Sequence, residues 1–278
     1  MFDLDSLTEA AYELEPLPAS TSRLASIAIS PTVDLAEIVD LIALDQGLTV
    51  SILRAANSAS GGGSRKVSLV REAVQRVGGG TIVNLAVGRR VRALMAGAMP
   101  AYHLSEGELW RHSVSAALAA ERCAKVCRVR VPPESFTAAL LHDVGKLVLV
   151  RFLSPDVVSA LERAHDEAGV SSLESEREIL GVHHGELAEL VAQRWQLPEA
   201  ITKPLAVHHA PGEDDGPVAD VVHLADVVAR RIGNGADDDP AELHPGVASR
   251  LGIGAEAIEA LAADVAASFD EVERRYAG

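Results

Sequence analysis

The chain has 278 residues, of which 48% are hydrophobic and only 3% aromatic, and its formal net charge is −15. This length allows one large domain or two small ones, and with so few aromatic residues Leu, Val, Ala and Ile must form the core. The acidic balance argues against binding to nucleic acids or anionic membranes, because their phosphates require clustered Lys and Arg. We therefore expect no nucleic-acid partner and no membrane partner.

The amino-terminal stretch, MFDLDSLTEAAYELEP, is acidic and lacks the basic start and apolar run of a signal peptide. The sequence contains no stretch of about eighteen uncharged apolar residues, so we expect no membrane span. Its two cysteines, Cys123 and Cys127, lie four residues apart without a second pair, and we interpret them as small hydrophobic residues. These features predict a cytoplasmic protein.

Hydrophobic periodicity and capping residues predict an all-α fold. Asp34 with Glu37, and Ser105 with Glu108, have the spacing of capping boxes that start helices. The glycines of Gly78–Gly80 are interpreted as a helix break, and Gly61–Ser64 as a flexible turn. We predict helices over residues 3–14, 22–29, 35–45, 48–59, 67–77, 81–94, 105–127, 154–165, 198–207, 220–232, 245–251 and 255–276. A further helix starts at Glu134 and carries His142 and Asp143, and residues 172–180 lead into a helix that carries His184.

Composition suggests where the chain divides. The stretch from Pro100 to Ser105 is the candidate boundary between two subdomains. We expect an N-terminal helical subdomain over 1–103 and a second helical subdomain, with most of the polar interruptions, over 104–232. Residues 233–278 are expected to form an acidic loop, GNGADDDP, followed by two closing helices.

Residues 138–150, AALLHDVGKLVLV, form an apolar segment that is interrupted by His142, Asp143 and Lys146. Burying an unpaired imidazole and carboxylate in a helix costs several kcal/mol, so another group must satisfy them. A divalent metal ion does so, because neutral imidazole and carboxylate both bind such ions. A structural ion pair, or a pair exposed at a helix end, is the alternative interpretation.

Further histidines interrupt other helical patterns in a recognisable order. They are His112 in WRHSVSAALAA, His183 and His184 in ILGVHHGELAELV, His208 and His209 in PLAVHHAP, followed by Asp226 in VVHLADVVARR. This order resembles the HD superfamily of metal-dependent phosphohydrolases. More closely, the chain resembles the HDOD group, the regulatory relatives of that superfamily, also in its EPLPAS entry, its Asn57-Ser58-Ala59 segment and its WQLP turn.

The resemblance, over residues 14–232, implies a helical bundle of HD type with an additional N-terminal helical subdomain. It implies one or two divalent metal ions, without distinguishing among Fe, Mn, Zn and Mg. The primary ligands carried over from the superfamily are His112, His142, Asp143 and Asp226, and a second ion would share Asp143 with His184, His208 and His209. If the chain is an enzyme, Asp143 would bridge the ions and Lys146 would contact a phosphate, so both would be catalytic.

Three hypotheses about function remain open at this point. We expect a signal-transduction protein of bacterial type that binds a signalling protein partner or a small nucleotide-like ligand without turnover. The alternatives are an active phosphohydrolase or phosphodiesterase on a nucleotide, and an unrelated helical scaffold with structural histidines. Cyclic-di-GMP phosphodiesterases of the superfamily carry a Gly-Tyr-Pro motif after the position of His209, where this chain has Glu213, Asp214 and Asp215.

Overall fold

The structure is a computed structural model that describes residues 4–28, 34–58, 66–152, 154–168, 171–234 and 242–276. Within these ranges the backbone forms α-helices and short 3-10 turns, and no β-strand. The all-α prediction is therefore confirmed. The helices are α1 Leu4–Glu13, α2 Ala19–Ala28, α3 Leu35–Ala43, α4 Gln46–Ser58, α5 Val70–Leu94, α6 Glu108–Arg122, α7 Glu134–Leu141, α8 Lys146–Phe152, α9 Pro155–Ala168, α10 Ser172–Leu180, α11 His184–Arg194, α12 Glu199–Val207, α13 Gly216–Arg231, α14 Pro245–Leu251 and α15 Ala255–Tyr276.

The chain forms two compact units, one made of residues 17–91 and the other of residues 1–16 together with 92–277. The predicted subdomain boundaries after residues 103 and 232 stay a prediction. The predicted turn at 61–64, and the predicted acidic loop from residue 235 onward, lie outside the described residues. No helix among the described residues is long and apolar enough to cross a membrane.

In the smaller unit, polar side chains fix the ends of helices as their sequence positions suggested. Asp34 caps α3 by accepting hydrogen bonds from the backbone N–H groups of Ala36 and Glu37, at 2.9 and 3.3 Å. Asn57 accepts a hydrogen bond from the N–H of Val67 and donates one to its carbonyl, at 2.8 and 2.9 Å. Gly78, with φ 78°, breaks α5 where a helix break was predicted.

The larger unit is built around α6 and α13, which pack against each other along most of their length. Both helices are buried on nearly every side, as expected for helices that lie inside a bundle. Helices α7 and α15 also pack on α6, and α11 packs on α12. This packing brings the polar interruptions of several apolar helices toward one interior point.

The start of α6 differs from the prediction. The helix begins at Glu108, preceded by Gly107 in the left-handed conformation with φ 78°, and no side chain caps it. The Glu108 carboxylate nevertheless accepts a hydrogen bond from the backbone N–H of Ser105 at 2.6 Å, so half of the predicted capping box is present.

The helix predicted from Glu134 onward begins there, but the expectation that it continues through His142 and Asp143 is wrong. Helix α7 ends at Leu141, residues 142–145 form a turn, and α8 begins at Lys146. The physical reason is the close approach of this turn to α11. A Cβ atom added to Gly145 would lie 1.9 Å from the carbonyl oxygen of His184, so only glycine fits there.

Candidate metal centre

Five segments of the larger unit each deliver one or two of the predicted ligands to the same interior point. Helix α6 supplies His112, and the 142–145 turn supplies His142 and Asp143. Helix α11 begins with His184, while His208 and His209 directly follow α12, and α13 supplies Asp226. All of them are at most 2% exposed except the half-buried His209. The cluster consists of His112, His142, Asp143, His184, His208, His209 and Asp226; we refer to it below as the His/Asp cluster.

Three of the cluster histidines are oriented by backbone carbonyls. A carbonyl only accepts hydrogen bonds, so each Nδ1 carries a proton and each ring directs its Nε2 atom into the cluster. This outward Nδ1–H bond is the usual arrangement of metal-binding histidines. The Nδ1 donors and their acceptors are His112 to Asn234 at 2.6 Å, His142 to Ala139 at 2.7 Å and His208 to Leu205 at 2.7 Å.

His184 is oriented by a buried carboxylate instead. Its Nδ1 donates to both oxygens of Glu176, at 2.9 and 2.8 Å, and its backbone N–H donates to Oε2 at 2.7 Å. Tyr102 donates its hydroxyl to Oε1 of the same carboxylate at 2.7 Å. The Nε2 atom of His184 therefore also presents a lone pair to the cluster.

Asp143 lies between two groups of histidines. Its Oδ2 atom is 3.4 Å from Nε2 of His112 and 3.6 Å from Nε2 of His142. Its Oδ1 atom is 3.3 Å from Nε2 of His184 and 4.0 Å from Nε2 of His208. The two oxygens of one carboxylate thus face two separate groups of imidazole nitrogens.

The remaining predicted ligands complete these two groups. Oδ1 of Asp226 lies 3.2 Å from Nε2 of His112 and 3.7 Å from Nε2 of His142. Nε2 of His209 lies 2.7 Å from Nε2 of His184. The structure therefore brings all seven predicted ligand residues together, and their role as ligands stays a prediction.

The nitrogen and oxygen atoms that face the interior of the cluster are better suited to binding a cation than to binding one another. The Nε2 atoms of His112 and His142 are 3.0 Å apart, although both rings already donate from Nδ1. Two neutral rings in this arrangement point lone pairs at each other, which a positive ion between them would relieve. Nε2 of His208 is buried and finds no hydrogen-bond partner among the described residues. A divalent metal ion would satisfy these atoms.

The charge states favour the same conclusion. Burial lowers the pKa of His208 well below its ordinary value, and the neighbouring His142 and His184 lower it further, so the ring is neutral at pH 7. Burial would raise the pKa of Asp143, but the attraction of Lys146 and the surrounding histidines holds it well below the ordinary value. His208 thus offers a neutral imidazole and Asp143 an ionised carboxylate, which are the forms that bind metals. Burial would lower the pKa of His142, but the adjacent Asp143 and Asp226 carboxylates raise it above its ordinary value.

His183 has a different task from its neighbour. Its Nδ1 accepts a hydrogen bond from the backbone N–H of Gly185 at 3.2 Å, so the ring caps α11. The backbone N–H of His183 donates a hydrogen bond to the Glu186 carboxylate at 3.0 Å, which completes a capping box. Burial lowers the pKa of His183 to about 4, and a neutral ring is what this capping role requires.

Four residues that support the cluster were missed from the sequence. Arg230 forms a bidentate ion pair with Asp226 and lies four residues after it, a spacing that permits such a pair on one helix face. Glu176 is buried although the other acidic residues of its helix are exposed. The reason for its burial is the contact with His184, which only the folded chain shows. Tyr102 and the backbone carbonyl of Asn234 had no signal in the sequence, because their contacts are long-range.

Comparisons with known proteins agree with this architecture. A relative from Treponema pallidum (strain Nichols), an uncharacterised protein, is 26% identical over 231 residues, which are 81% of this chain but 44% of that protein. The chain therefore spans less than half the length of this relative.

Three crystal structures share the fold. An HDOD domain protein of unknown function from Geobacter sulfurreducens is 25% identical with a TM-score of 0.72, covering 99% of this chain and 98% of that one. A proposed signal transduction protein from Marinobacter aquaeolei VT8 is 19% identical with a TM-score of 0.76, covering 99% and 65%. A proposed phosphohydrolase from Shewanella amazonensis SB2B is 22% identical with a TM-score of 0.69, covering 95% and 94%.

The family model for the HDOD domain matches residues 14–211. This segment contains the 142–145 turn, His184 and the His208-His209 pair, and it ends before Asp226, which joins the cluster by its position in the fold. The predicted HD-type helical fold is confirmed, and the chain belongs to the HDOD domain family.

Proposed function

We propose that this chain is a regulatory HDOD protein whose His/Asp cluster binds one or two divalent metal ions, and that it acts by binding rather than by turnover. Its target would be a signalling protein partner or a small nucleotide-like ligand. The observation that carries the proposal is the burial of a lone-pair-rich cluster, in which every residue but His209 is at most 2% exposed. Catalytic metal sites keep an open position for water and substrate, so the burial of these described side chains favours binding over turnover.

The residues assigned to the metal follow from the two groups around Asp143. His112, His142 and Asp226 would hold one ion with Oδ2 of Asp143, and the remaining three histidines would hold a second with Oδ1. A bound ion would neutralise the facing lone pairs and link five segments of the larger unit. The structural neighbour that is named as a proposed signal transduction protein supports a regulatory role at the level of fold.

Phosphohydrolase activity is the second candidate, and the arrangement of Asp143 favours it. A carboxylate whose two oxygens face two ligand groups is the arrangement by which hydrolases bridge two metal ions. In that case Asp143 would bridge and Lys146 would contact the phosphate. Against this role, Nζ of Lys146 is 1% exposed, hydrogen-bonded to Asp143 at 3.0 Å, and 5.2 Å from the centre of the Tyr102 ring.

The test combines metal analysis with a turnover assay on the same preparation. Purified protein is analysed by mass spectrometry for bound metals, and metal-free protein is titrated with Mn²⁺, Zn²⁺ and Fe²⁺. We expect binding of one or two equivalents, loss of binding in His142→Ala, and no hydrolysis of nucleotides or bis(p-nitrophenyl) phosphate. Absence of metal binding by the wild type would refute the metal site. Turnover that disappears in Asp143→Ala would establish the enzyme instead.

A further inference from the structure

The carboxylate of Asp226 is held by a cation of the protein itself. Nε of Arg230 donates to Oδ1 at 3.1 Å, and Nη2 donates to Oδ2, so the guanidinium forms a two-point ion pair. The pair is buried, with side chains that are 9% and 4% exposed. Oδ1 is also the oxygen that faces Nε2 of His112 at 3.2 Å. The guanidinium therefore binds the same carboxylate that the proposed metal ion would bind.

Asp143 has a corresponding cation. Nζ of Lys146 lies 3.0 Å from Oδ2, and the two side chains are 1% and 2% exposed. Each of the two carboxylates that face the imidazole lone pairs is thus matched by one positive charge. A buried carboxylate without a counter-ion would destabilise the fold, so these cations allow the cluster to exist without a metal.

The same cations oppose the entry of a metal ion. A divalent ion that binds Asp226 comes within a few ångströms of the guanidinium, and like charges repel strongly in a buried site. The guanidinium binds both oxygens of the Asp226 carboxylate, and its side chain is only 9% exposed, so solvent screens this repulsion little. Metal binding at this carboxylate must therefore overcome the resident charge.

We propose that Arg230 is a resident counter-ion of the His/Asp cluster: it compensates Asp226 in the metal-free protein and lowers the affinity of the cluster for divalent cations. This inference rests on the proposed metal site. It assigns to Arg230 a positioning role that acts through Asp226. Removing a like charge that lies within a few ångströms of the ion should strengthen metal binding, and we expect a gain of about 10- to 100-fold.

The test compares three variants by calorimetric titration of metal-free protein with Mn²⁺ and by the visible absorption of bound Co²⁺. Arg230→Gln removes the charge but keeps a hydrogen-bond donor, and it should bind about 10- to 100-fold more tightly than the wild type. Arg230→Lys keeps the positive charge but loses the two-point geometry, so its affinity should lie closer to that of the wild type than the affinity of Arg230→Gln does. Arg231→Gln removes the same charge from the next position, where the side chain is 28% exposed and pairs with Glu259, and it should change nothing.

Stability supplies a second measurement. Metal-free Arg230→Gln should melt below the wild type, because Asp226 loses its counter-ion, and Mn²⁺ should raise its melting temperature more than that of the wild type. If this variant does not fold, Lys146→Gln tests the same idea at Asp143, with tighter Mn²⁺ binding expected.

The outcomes separate this inference from the proposed function. Equal or weaker binding by Arg230→Gln, beside clear binding by the wild type, overturns the counter-ion role and leaves the metal site intact. Mn²⁺ binding by Arg230→Gln, when the wild type shows no binding, supports the counter-ion role. Absence of binding in every variant overturns both.

Discussion

Replacing Gly145 by Ala should separate the 142–145 turn from α11 and thereby disrupt the cluster. The added Cβ would lie 1.9 Å from the carbonyl oxygen of His184 and 2.7 Å from the backbone nitrogen of Ala188, and real Cβ contacts essentially never fall below 3.0 Å. The turn and the helix must therefore move apart by about 1 Å, and backbone atoms cannot rotate away as a side chain would. Gly145 does not have a positive φ, so the effect is steric alone.

The expected loss follows from overpacking against rigid backbone. Inserting one methyl group into a packed interior typically costs about 1–3 kcal/mol, and contact with two backbone atoms places this site at the upper end. A loss of about 3 kcal/mol lowers the melting temperature by roughly 6–12 °C in a protein of this size. The same movement lengthens the distance of 3.3 Å between Nε2 of His184 and Asp143, so metal binding should weaken as well.

The assay is thermal unfolding of metal-free and metal-loaded protein, followed by circular dichroism. Gly97→Ala is the matched control, because nothing lies within 4 Å of a Cβ added there, and its effect should stay within about 0.5 kcal/mol. If Gly145→Ala has the same melting temperature as Gly97→Ala and binds metal like the wild type, the close packing of the turn on α11 is not what holds the cluster together.

Three further predictions concern the metal and the chemistry. A chelator should lower the melting temperature of the wild type, since a metal at 100 times its Kd adds about 2.7 kcal/mol, and Asp143→Ala should melt lower and lose this chelator-dependent difference. Glu176→Gln should weaken Mn²⁺ binding about tenfold or more in a titration, because His184 loses the anion that orients it, whereas the exposed Glu178→Gln should bind normally. Metal-loaded protein should leave cyclic-di-GMP intact in a chromatographic assay, since the cluster is buried; turnover that vanishes in His142→Ala would contradict this.

Much of the helical framework was predictable because its signals are local. The helices at 245–251 and 255–276 have the predicted bounds, and their ends are marked by a proline or by glycines within the same few residues. The cluster residues could also be selected, because a histidine or an aspartate inside an apolar pattern requires a partner. The resemblance of the GELAEL segment after it to the family pattern then favoured His184 over the adjacent His183, which the structure uses as a helix cap.

What the sequence could not reveal depends on contacts between distant segments. The turn at 142–145 replaces a helix that local propensity favours, and its cause is a backbone contact with α11 about forty residues away. Glu176 and Tyr102 are 74 residues apart and meet only in the folded chain. Arg230 was visible in ADVVARR, but nothing local distinguishes a buried ion pair with Asp226 from a solvated arginine at a helix end.

A buried metal centre can regulate only if its state reaches the surface, and α8 provides a physical connection. Its first residue, Lys146, contacts Asp143 inside the cluster. The next residue, Leu147, and Val150 and Arg151 about one turn later line a surface cavity of about 260 Å³ in the larger unit. Because α8 is only seven residues long and follows directly from the 142–145 turn, a displacement of Asp143 on metal binding must be absorbed by this turn or carried by the helix. The close packing of Gly145 on α11 limits what the turn can absorb, and this favours movement of α8 as the signal that a partner would detect.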